Sequence, residues 1–213
     1  MYNASHNLTI YTFMFGESII LLIVILILSV VIHEVAHGYA ALWLGDKTAL
    51  HAGRLTLNPL KHLDFMGSIV VPLLLSLTGF IFGWAKPVPY NPYNLKNRRW
   101  GELLVAIAGP VSNLILALIF GLYIQFIGGS PTAITIGILI VQINVALAIF
   151  NLVPIPPLDG SKILFSLFPE QALKFRVVME QWGFMLLLIF VFFFSPILGP
   201  IINLVTRFFT GSL

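Results

Sequence analysis

The feature that most constrains this chain is a series of long apolar runs. The first, SIILLIVILILSVVI, covers residues 18–32, and two serines are its only polar residues. Later apolar runs cover 66–82, 103–127, 133–152 and 182–209. A helix needs about 20 apolar residues to cross the hydrocarbon core of a bilayer. We therefore predict an all-α polytopic membrane protein with about five to six transmembrane segments in a lipid bilayer.

The composition supports one membrane domain. Hydrophobic residues make up 59% of the 213 residues and charged residues only 9%, whereas soluble domains carry about a quarter charged residues. The longest polar segments lie near 45–65, 83–101 and 152–180 and are too short for a separate soluble domain. We expect a single intramembrane domain over 1–213, with a core at about 18–168 and a C-terminal helical segment at about 182–209.

The basic residues predict the orientation. Every lysine and arginine except Arg207 lies in one of the three polar segments, which points to cytoplasmic loops and no nucleic-acid partner. All three loops lie on one side of the membrane if the chain through 66–82 returns to the side from which it started. A re-entrant or extended loop near 83–92 would allow this return. The prolines of that stretch exclude a helix. The alternative is that 66–82 spans fully and breaks the charge rule once.

A metal-binding motif lies in the first predicted helix, about Glu17 to Leu44. His33 and His37 are four residues apart, so both imidazoles share one helix face. With Glu34 they form the H-E-x-x-H pattern of zinc metalloproteases. His33 lies roughly 22 Å along the helix from Ser18, within a hydrocarbon core roughly 30 Å thick. The motif therefore predicts a zinc site inside the membrane, nearer its far face.

A catalytic zinc ion needs a third protein ligand. The chain has no cysteine, so this ligand must supply nitrogen or oxygen. The candidates are His6, His51, His62, Asp46, Asp64 and Asp159. Asp159 is favoured because it follows a span that breaks at three prolines, at the same predicted depth as the histidines. The alternative is that Asp159 only caps the short helix predicted at Ser161 to Phe168.

Two distant motifs resemble those of the site-2 proteases, a family of intramembrane zinc metallopeptidases. HEVAH at 33–37 and NLVPIPPLDG at 151–160 match the two motifs in the family's order. Ala108-Gly109-Pro110 with Asn113 is similar to its middle core helix, and the polar loops resemble its compact prokaryotic branch without PDZ or CBS modules. The resemblance implies one Zn²⁺ per chain, held by His33, His37 and Asp159.

The resemblance also implies a mechanism and a substrate class. Glu34 would be general base and later acid for a zinc-activated water. Asn151 would bond the substrate backbone or the developing oxyanion, or else only satisfy broken-helix backbone. The substrate would be a transmembrane helix of another protein, partly unwound and paired with the extended stretch FGWAKPVPYNP. Its candidate substrate-binding residues are Trp84, Lys86, Pro87 and Val88, although aromatic residues there also suit interfacial anchors.

Two other functions stay open from the residues. One is a catalytically silent membrane scaffold or transporter that keeps the fold. The other is a zinc peptidase that acts on a soluble or lipid-modified peptide. Among the remaining polar residues, Asn113 is assigned to helix packing, and Asn144 to bonds between helices rather than to support of the metal site. The last apolar region is either one kinked helix or a hairpin of two.

Overall fold

The structure, a computed structural model, describes residues 18–71, 85–168 and 173–211. The α-helices in these residues are α1 (Ser18–Trp43), α2 (Thr48–His51), α3 (Arg98–Leu122), α4 (Pro131–Asn151), α5 (Asp159–Leu167) and α6 (Leu173–Thr210). Short 3₁₀ helices cover Pro59–Lys61 and Pro92–Asn94, and π-helical turns cover Met66–Val70 and Tyr123–Ile127.

Four helices in the described residues are long and apolar enough to cross a membrane. They cover Ile19–Trp43, Arg99–Ile127, Pro131–Asn151 and Lys174–Phe194. The predicted all-α, polytopic class is therefore confirmed. Residues 85–91 form neither helix nor strand, in agreement with the prediction for 83–92. Most of the 66–82 run lies outside the described residues.

The helices begin where the sequence supplies caps. The Asn97 side chain accepts a hydrogen bond from the Trp100 amide at the start of α3. The Ser130 side chain accepts one from the Ala133 amide at the start of α4, where proline occupies the first helical position. Each bond satisfies an amide that has no partner within its own helix, which places the two helix starts at definite residues.

Helix α3 lies at the centre of the bundle and packs against α1, α4 and α5. Ala117 of α3 is buried against Val141 and Val145 of α4, in an apolar cluster that extends to α6. Gly121 brings α3 close to α6, because a Cβ at this position would collide with the Phe209 carbonyl oxygen. The centre of the bundle is therefore the place where α1, α4 and α5 present side chains to one helix.

The last apolar region is one helix. Helix α6 continues through Pro196 and Pro200, so the structure decides between the two alternatives in favour of a single element. Prolines are tolerated in membrane helices where neighbouring groups satisfy the freed backbone. Towards its N-terminus, α6 is tied to α3 by an ion pair in which the two guanidinium nitrogens of Arg176 lie 2.8 and 3.2 Å from the Glu102 carboxylate oxygens.

Candidate metal centre

Three predicted ligands meet at one point in the bundle. Nε2 of His33 and Nε2 of His37 lie 3.0 and 3.1 Å from Oδ2 of Asp159, and 3.0 Å from each other. All three residues are buried, and they form a group that could hold a metal ion. Asp159 is more than 120 residues from either histidine, so it is the fold that brings the two motifs together.

The helix pattern explains how each side chain reaches this point. His33 and His37 stand one turn apart on α1, facing α3. Asp159 is the first residue of α5; the N-cap position belongs to Leu158, and no side chain caps the helix. The alternative that Asp159 acts only as a helix cap is therefore wrong. Gly160 allows the close turn before α5, since a Cβ there would collide with the carbonyl oxygens of Leu152 and Val153.

The outer nitrogens of both imidazoles meet acceptors on α3. Nδ1 of His37 lies 2.6 Å from the Val105 carbonyl oxygen, and Nδ1 of His33 lies 2.6 Å from Oδ1 of Asn113. These acceptors place the ring proton on Nδ1 and leave the Nε2 lone pair facing inward. Two lone pairs and a carboxylate oxygen then converge within 3.1 Å. Such a group of acceptors could hold a metal ion between them.

The donor set fits zinc. Two histidine nitrogens and one carboxylate oxygen are a common protein contribution to a catalytic zinc site. Ligands about 2.0 Å from a tetrahedral ion are about 3.3 Å apart, close to the separations observed. Gly109 of α3 backs the site, since a Cβ at this position would lie 2.5 Å from Cε1 and Nε2 of His33. The absence of a side chain at Gly109 thus leaves room for both imidazoles.

Glu34 is held by the non-helical segment 85–91. Its Oε2 accepts a 2.7 Å hydrogen bond from the Val88 amide. The segment is held in turn by the loop after α1: the Lys86 amide donates to the His62 carbonyl, and the Arg54 guanidinium donates to the Lys86 carbonyl at 2.7 Å. The structure therefore brings Lys86, Val88 and the intervening Pro87 beside the motif glutamate. The fourth predicted substrate-binding residue, Trp84, lies outside the described residues.

Asp46 ties the other end of this segment to the bundle. Its buried carboxylate accepts bonds from the Thr48 amide and hydroxyl, from the Asn91 amide and from the Asn94 side chain, at 2.6 to 3.1 Å. Burial opposes ionisation, but these four donors outweigh it and hold the pKa of Asp46 below its usual 3.8. The ionised carboxylate thus fastens the 91–94 turn to the end of α1.

An open cavity of about 500 Å³ lies near the start of α5, with Ser161 and Lys162 of that helix in its lining. Its lining includes Tyr90, Glu102, Lys162 and Arg176. The Lys162 ammonium lies 3.5 Å from Oδ1 of Asp159 and 5.5 Å from the centre of the Tyr90 ring. Burial and the nearby Glu102 carboxylate raise the pKa of Tyr90 above its usual value, which keeps the phenol neutral. Lys162 therefore contributes positive charge on the side of Asp159 that faces away from the histidines.

The other predicted candidates lie elsewhere. His62 is buried, with Nε2 2.8 Å from the Thr56 carbonyl oxygen, His51 is exposed, and Asp64 accepts from the Gly67 amide. The Asn151 amide group donates to the Leu147 carbonyl of its own helix. His6 lies outside the described residues.

The sequence did not predict the support that Asn113 and Asn144 give to the metal centre. Asn113 contacts His33 directly and also bonds to Asn144. Asn113 stands four residues after Gly109 and so shares its helix face, but only the structure shows that this face meets the histidines.

Comparisons with known proteins agree with this geometry. A family model described as Peptidase family M50 matches residues 127–192. The chain is 42% identical to the putative zinc metalloprotease YwhC of Bacillus subtilis, with 85% of each chain covered. It is 32% identical to the putative zinc metalloprotease Rip2 of Mycolicibacterium smegmatis, over 76% of this chain and 63% of that protein. No solved structure matches.

Proposed function

Because the chain belongs to Peptidase family M50, the site-2 protease family, we propose that it is an intramembrane zinc endopeptidase that cleaves transmembrane helices of other membrane proteins. The family makes it a zinc metallopeptidase, and its apolar helices make it a membrane protein. The observation that supports the finer statement is the position of the three-residue cluster. Two of its members belong to α1, a helix apolar enough to span the bilayer.

We assign His33, His37 and Asp159 as the protein ligands of one zinc ion. Their inward atoms are acceptors that face one another at 3.0 to 3.1 Å, an arrangement that a divalent cation stabilises. When bound, zinc supplies Lewis acidity that activates water and polarises the scissile carbonyl. The bonds from the two imidazoles to Val105 and Asn113 keep the rings oriented for this task.

Glu34 is the proposed general base and later acid. It follows His33 directly on α1, and its second carboxylate oxygen is free of the Val88 bond, which engages Oε2. The amide bond restricts the rotation of the carboxylate and keeps it close to the histidine cluster. Proton transfer by a carboxylate held in this way contributes typically 10²–10⁴-fold to a reaction rate.

Segment 85–91 is the proposed docking site for the unwound substrate. It forms neither helix nor strand, and since its Lys86 and Val88 amides are bonded to His62 and Glu34, an extended peptide would pair with its remaining backbone groups. Lys86 and Pro87 are exposed, whereas Val88 is buried against Glu34. A peptide bound along this segment would therefore pass close to the base. In this proposal the second N–H of the Asn151 side chain, the one not bonded to the Leu147 carbonyl, donates to the substrate backbone or to the developing oxyanion.

The site faces the cytoplasmic side in our proposal. Basic residues occur in three segments: the loop after α1, segment 85–99 and the region of α5. At one end of the bundle, Asp46 and Arg54 tie the loop after α1 to segment 85–99. Arg99 ties segment 85–99 to α5, because it donates to the Ser166 and Leu167 carbonyls. Basic loops favour the cytoplasmic face.

The Glu34→Gln variant tests the chemistry. Glutamine keeps the shape and the acceptor for the Val88 amide but is not a base, so zinc content should stay near one per chain while cleavage falls by about 10²–10⁴-fold. The assay is hydrolysis of a single-span reporter protein in proteoliposomes, read as fragments by mass spectrometry. Exposed Glu180 provides a matched control, since Glu180→Gln should leave cleavage unchanged. Equal cleavage by Glu34→Gln and wild type would refute the proposal.

The same assay separates the alternatives. A silent scaffold or transporter would bind zinc without producing fragments from any reporter. A peptidase for soluble or lipid-modified peptides would cleave a released peptide faster than the same sequence held in a membrane span. Our proposal expects the opposite order, with cleavage sites inside or next to the span.

A further inference from the structure

Three buried polar side chains lie behind the metal centre. Ser29 of α1, Asn113 of α3 and Asn144 of α4 are each at most 3% exposed. Burial of polar groups between membrane helices is unfavourable unless they bond to one another. Here Asn113 Nδ2 donates to Asn144 Oδ1 at 2.8 Å, and Asn144 Nδ2 donates to Ser29 Oγ at 3.0 Å. Helices α1, α3 and α4 are therefore joined by one chain of hydrogen bonds through Ser29, Asn144 and Asn113, called the relay below.

Backbone carbonyls set the direction of this chain. The Ile140 carbonyl lies 2.9 Å from Nδ2 of Asn144, so the amino group of that side chain must face it. Oδ1 of Asn144 then faces Asn113 and requires its amino group. The Ser29 carbonyl, 3.4 Å from Nδ2 of Asn113, imposes the same orientation. The remaining carbonyl oxygen of Asn113 therefore points at His33.

We propose that Asn113 and Asn144 are positioning residues that set the tautomer of His33 for metal binding. Since Oδ1 of Asn113 can only accept, Nδ1 of His33 must carry the proton, and Nε2 presents its lone pair to Asp159 and His37. This inference rests on the proposed ligation of zinc by His33. It adds that the affinity for zinc depends on two asparagines that are not ligands.

The two histidines differ in how firmly they are set. His37 bonds to a backbone carbonyl, that of Val105, which no substitution at that position removes. His33 depends on a side chain that is itself held by a second side chain. Substitutions in the relay should therefore disturb one ligand and leave the other in place. We therefore expect these substitutions to weaken zinc binding partially, whereas loss of a ligand would weaken it far more.

The test measures zinc affinity of the purified protein in detergent by competition with a chromophoric chelator. Partners of metal ligands typically affect affinity 10–100-fold, so we expect Asn113→Leu to bind zinc at least tenfold more weakly than wild type. Asn113→Asp keeps an acceptor facing His33 and should bind at least threefold more tightly than Asn113→Leu. Asn144→Leu leaves the bond to His33 and removes one of the two acceptors that orient Asn113, the other being the Ser29 carbonyl, so its zinc affinity should fall between those of wild type and Asn113→Leu.

A purely structural role predicts the reverse order. Leucine fills the space of asparagine without burying a polar group, whereas a buried carboxylate is costly. If Asn113→Leu binds zinc within tenfold of wild type, or if Asn113→Asp binds no more tightly than Asn113→Leu, the inference is overturned. Thr206→Val is the matched control, because Thr206 is buried and its hydroxyl has no hydrogen-bond partner in the described residues. Its zinc affinity should equal that of wild type.

Two further readouts separate this inference from the proposed function. The absorption bands of the Co²⁺-substituted protein report ligand geometry without any substrate, and they should shift in Asn113→Leu but not in Thr206→Val. Thermal unfolding of the zinc-free proteins checks that each variant folds. If wild type binds zinc but cleaves no reporter, the proposed function fails while the relay still stands. If wild type cleaves and Asn113→Leu binds zinc normally, only the relay fails.

Discussion

Substitution of Gly109 by alanine should close the metal centre without unfolding the protein. The added methyl would lie 2.5 Å from Cε1 and Nε2 of His33, whereas non-bonded carbon atoms settle at about 3.5–4.0 Å. The ring would have to move by about 1 Å, while metal–ligand distances tolerate only about 0.2 Å. The imidazoles can turn away in the zinc-free protein but not in the zinc-bound one, so the strain falls on metal binding.

The size of the effect follows from overpacking. An extra methyl group in a well-packed site costs about 1–3 kcal/mol, which corresponds to about 5–150-fold in zinc affinity. We expect Gly109→Ala to bind zinc more weakly by this factor in chelator competition. The thermal midpoint of the zinc-free variant should be at or above that of wild type, because alanine favours a helix over glycine by about 1 kcal/mol.

Gly199 provides the matched control for this prediction. It also lies in a helix, but a Cβ at this position would meet no atom within 4 Å. Gly199→Ala should therefore bind zinc as wild type does. Wild-type zinc affinity in Gly109→Ala would refute the claim that this glycine makes room for the imidazoles.

Three other predictions follow from the same contacts. Glu102→Gln leaves the Arg176 guanidinium without its buried partner and should destabilise the protein by about 3 kcal/mol, measured as a lower midpoint of thermal unfolding in detergent. Glu180 is the exposed partner of Arg176, so Glu180→Gln should cost less than about 1 kcal/mol. Since the pKa of Asp46 is lower when folded than when unfolded, its contribution to stability is present above about pH 4 and is lost as the pH falls below that value; Asp46→Asn should unfold more easily at pH 7 and show a smaller further loss between pH 5 and pH 3. A strong chelator should abolish reporter cleavage, and stoichiometric Zn²⁺ should restore it; cleavage that persists with less than 0.1 zinc per chain by elemental analysis would contradict the zinc mechanism.

Much of the fold follows from the sequence because the bilayer allows few solutions. Apolar runs such as 18–32 must form helices, since no water satisfies their backbone there. The predicted helix from Glu17 to Leu44 is observed at Ser18–Trp43, and the run 133–152 is observed at Pro131–Asn151. The sequence does not predict whether the last apolar region is one helix or two, because Pro196 and Pro200 are compatible with a break as well as with a continuous helix. Local pattern does not decide between them; packing against neighbouring helices does.

The candidate site divides in the same way. Spacing alone predicts that His33 and His37 share a helix face, and the proline-rich break singles out Asp159. The contact between His33 and Asn113 joins residues 80 positions apart, and no local pattern shows which residue of α3 faces an imidazole. The same holds for the bond from the Val88 amide to Glu34, which depends on a segment without regular structure. The sequence thus predicts the reactive groups better than the groups that hold them.

The arrangement of polar groups inside the bundle explains why a metal belongs at its centre. In the chain from Ser29 through Asn144 to Asn113 each asparagine amino group faces an acceptor, and the chain ends by accepting the Nδ1 proton of His33. The Val105 carbonyl accepts the corresponding proton of His37. Both Nδ1 protons are thereby used on the outer sides of the rings, and the inner sides present the two Nε2 lone pairs to Oδ2 of Asp159. A bilayer makes such a concentration of acceptors costly, so the hydrogen bonds that orient the rings also favour a cation at the point where the three groups meet.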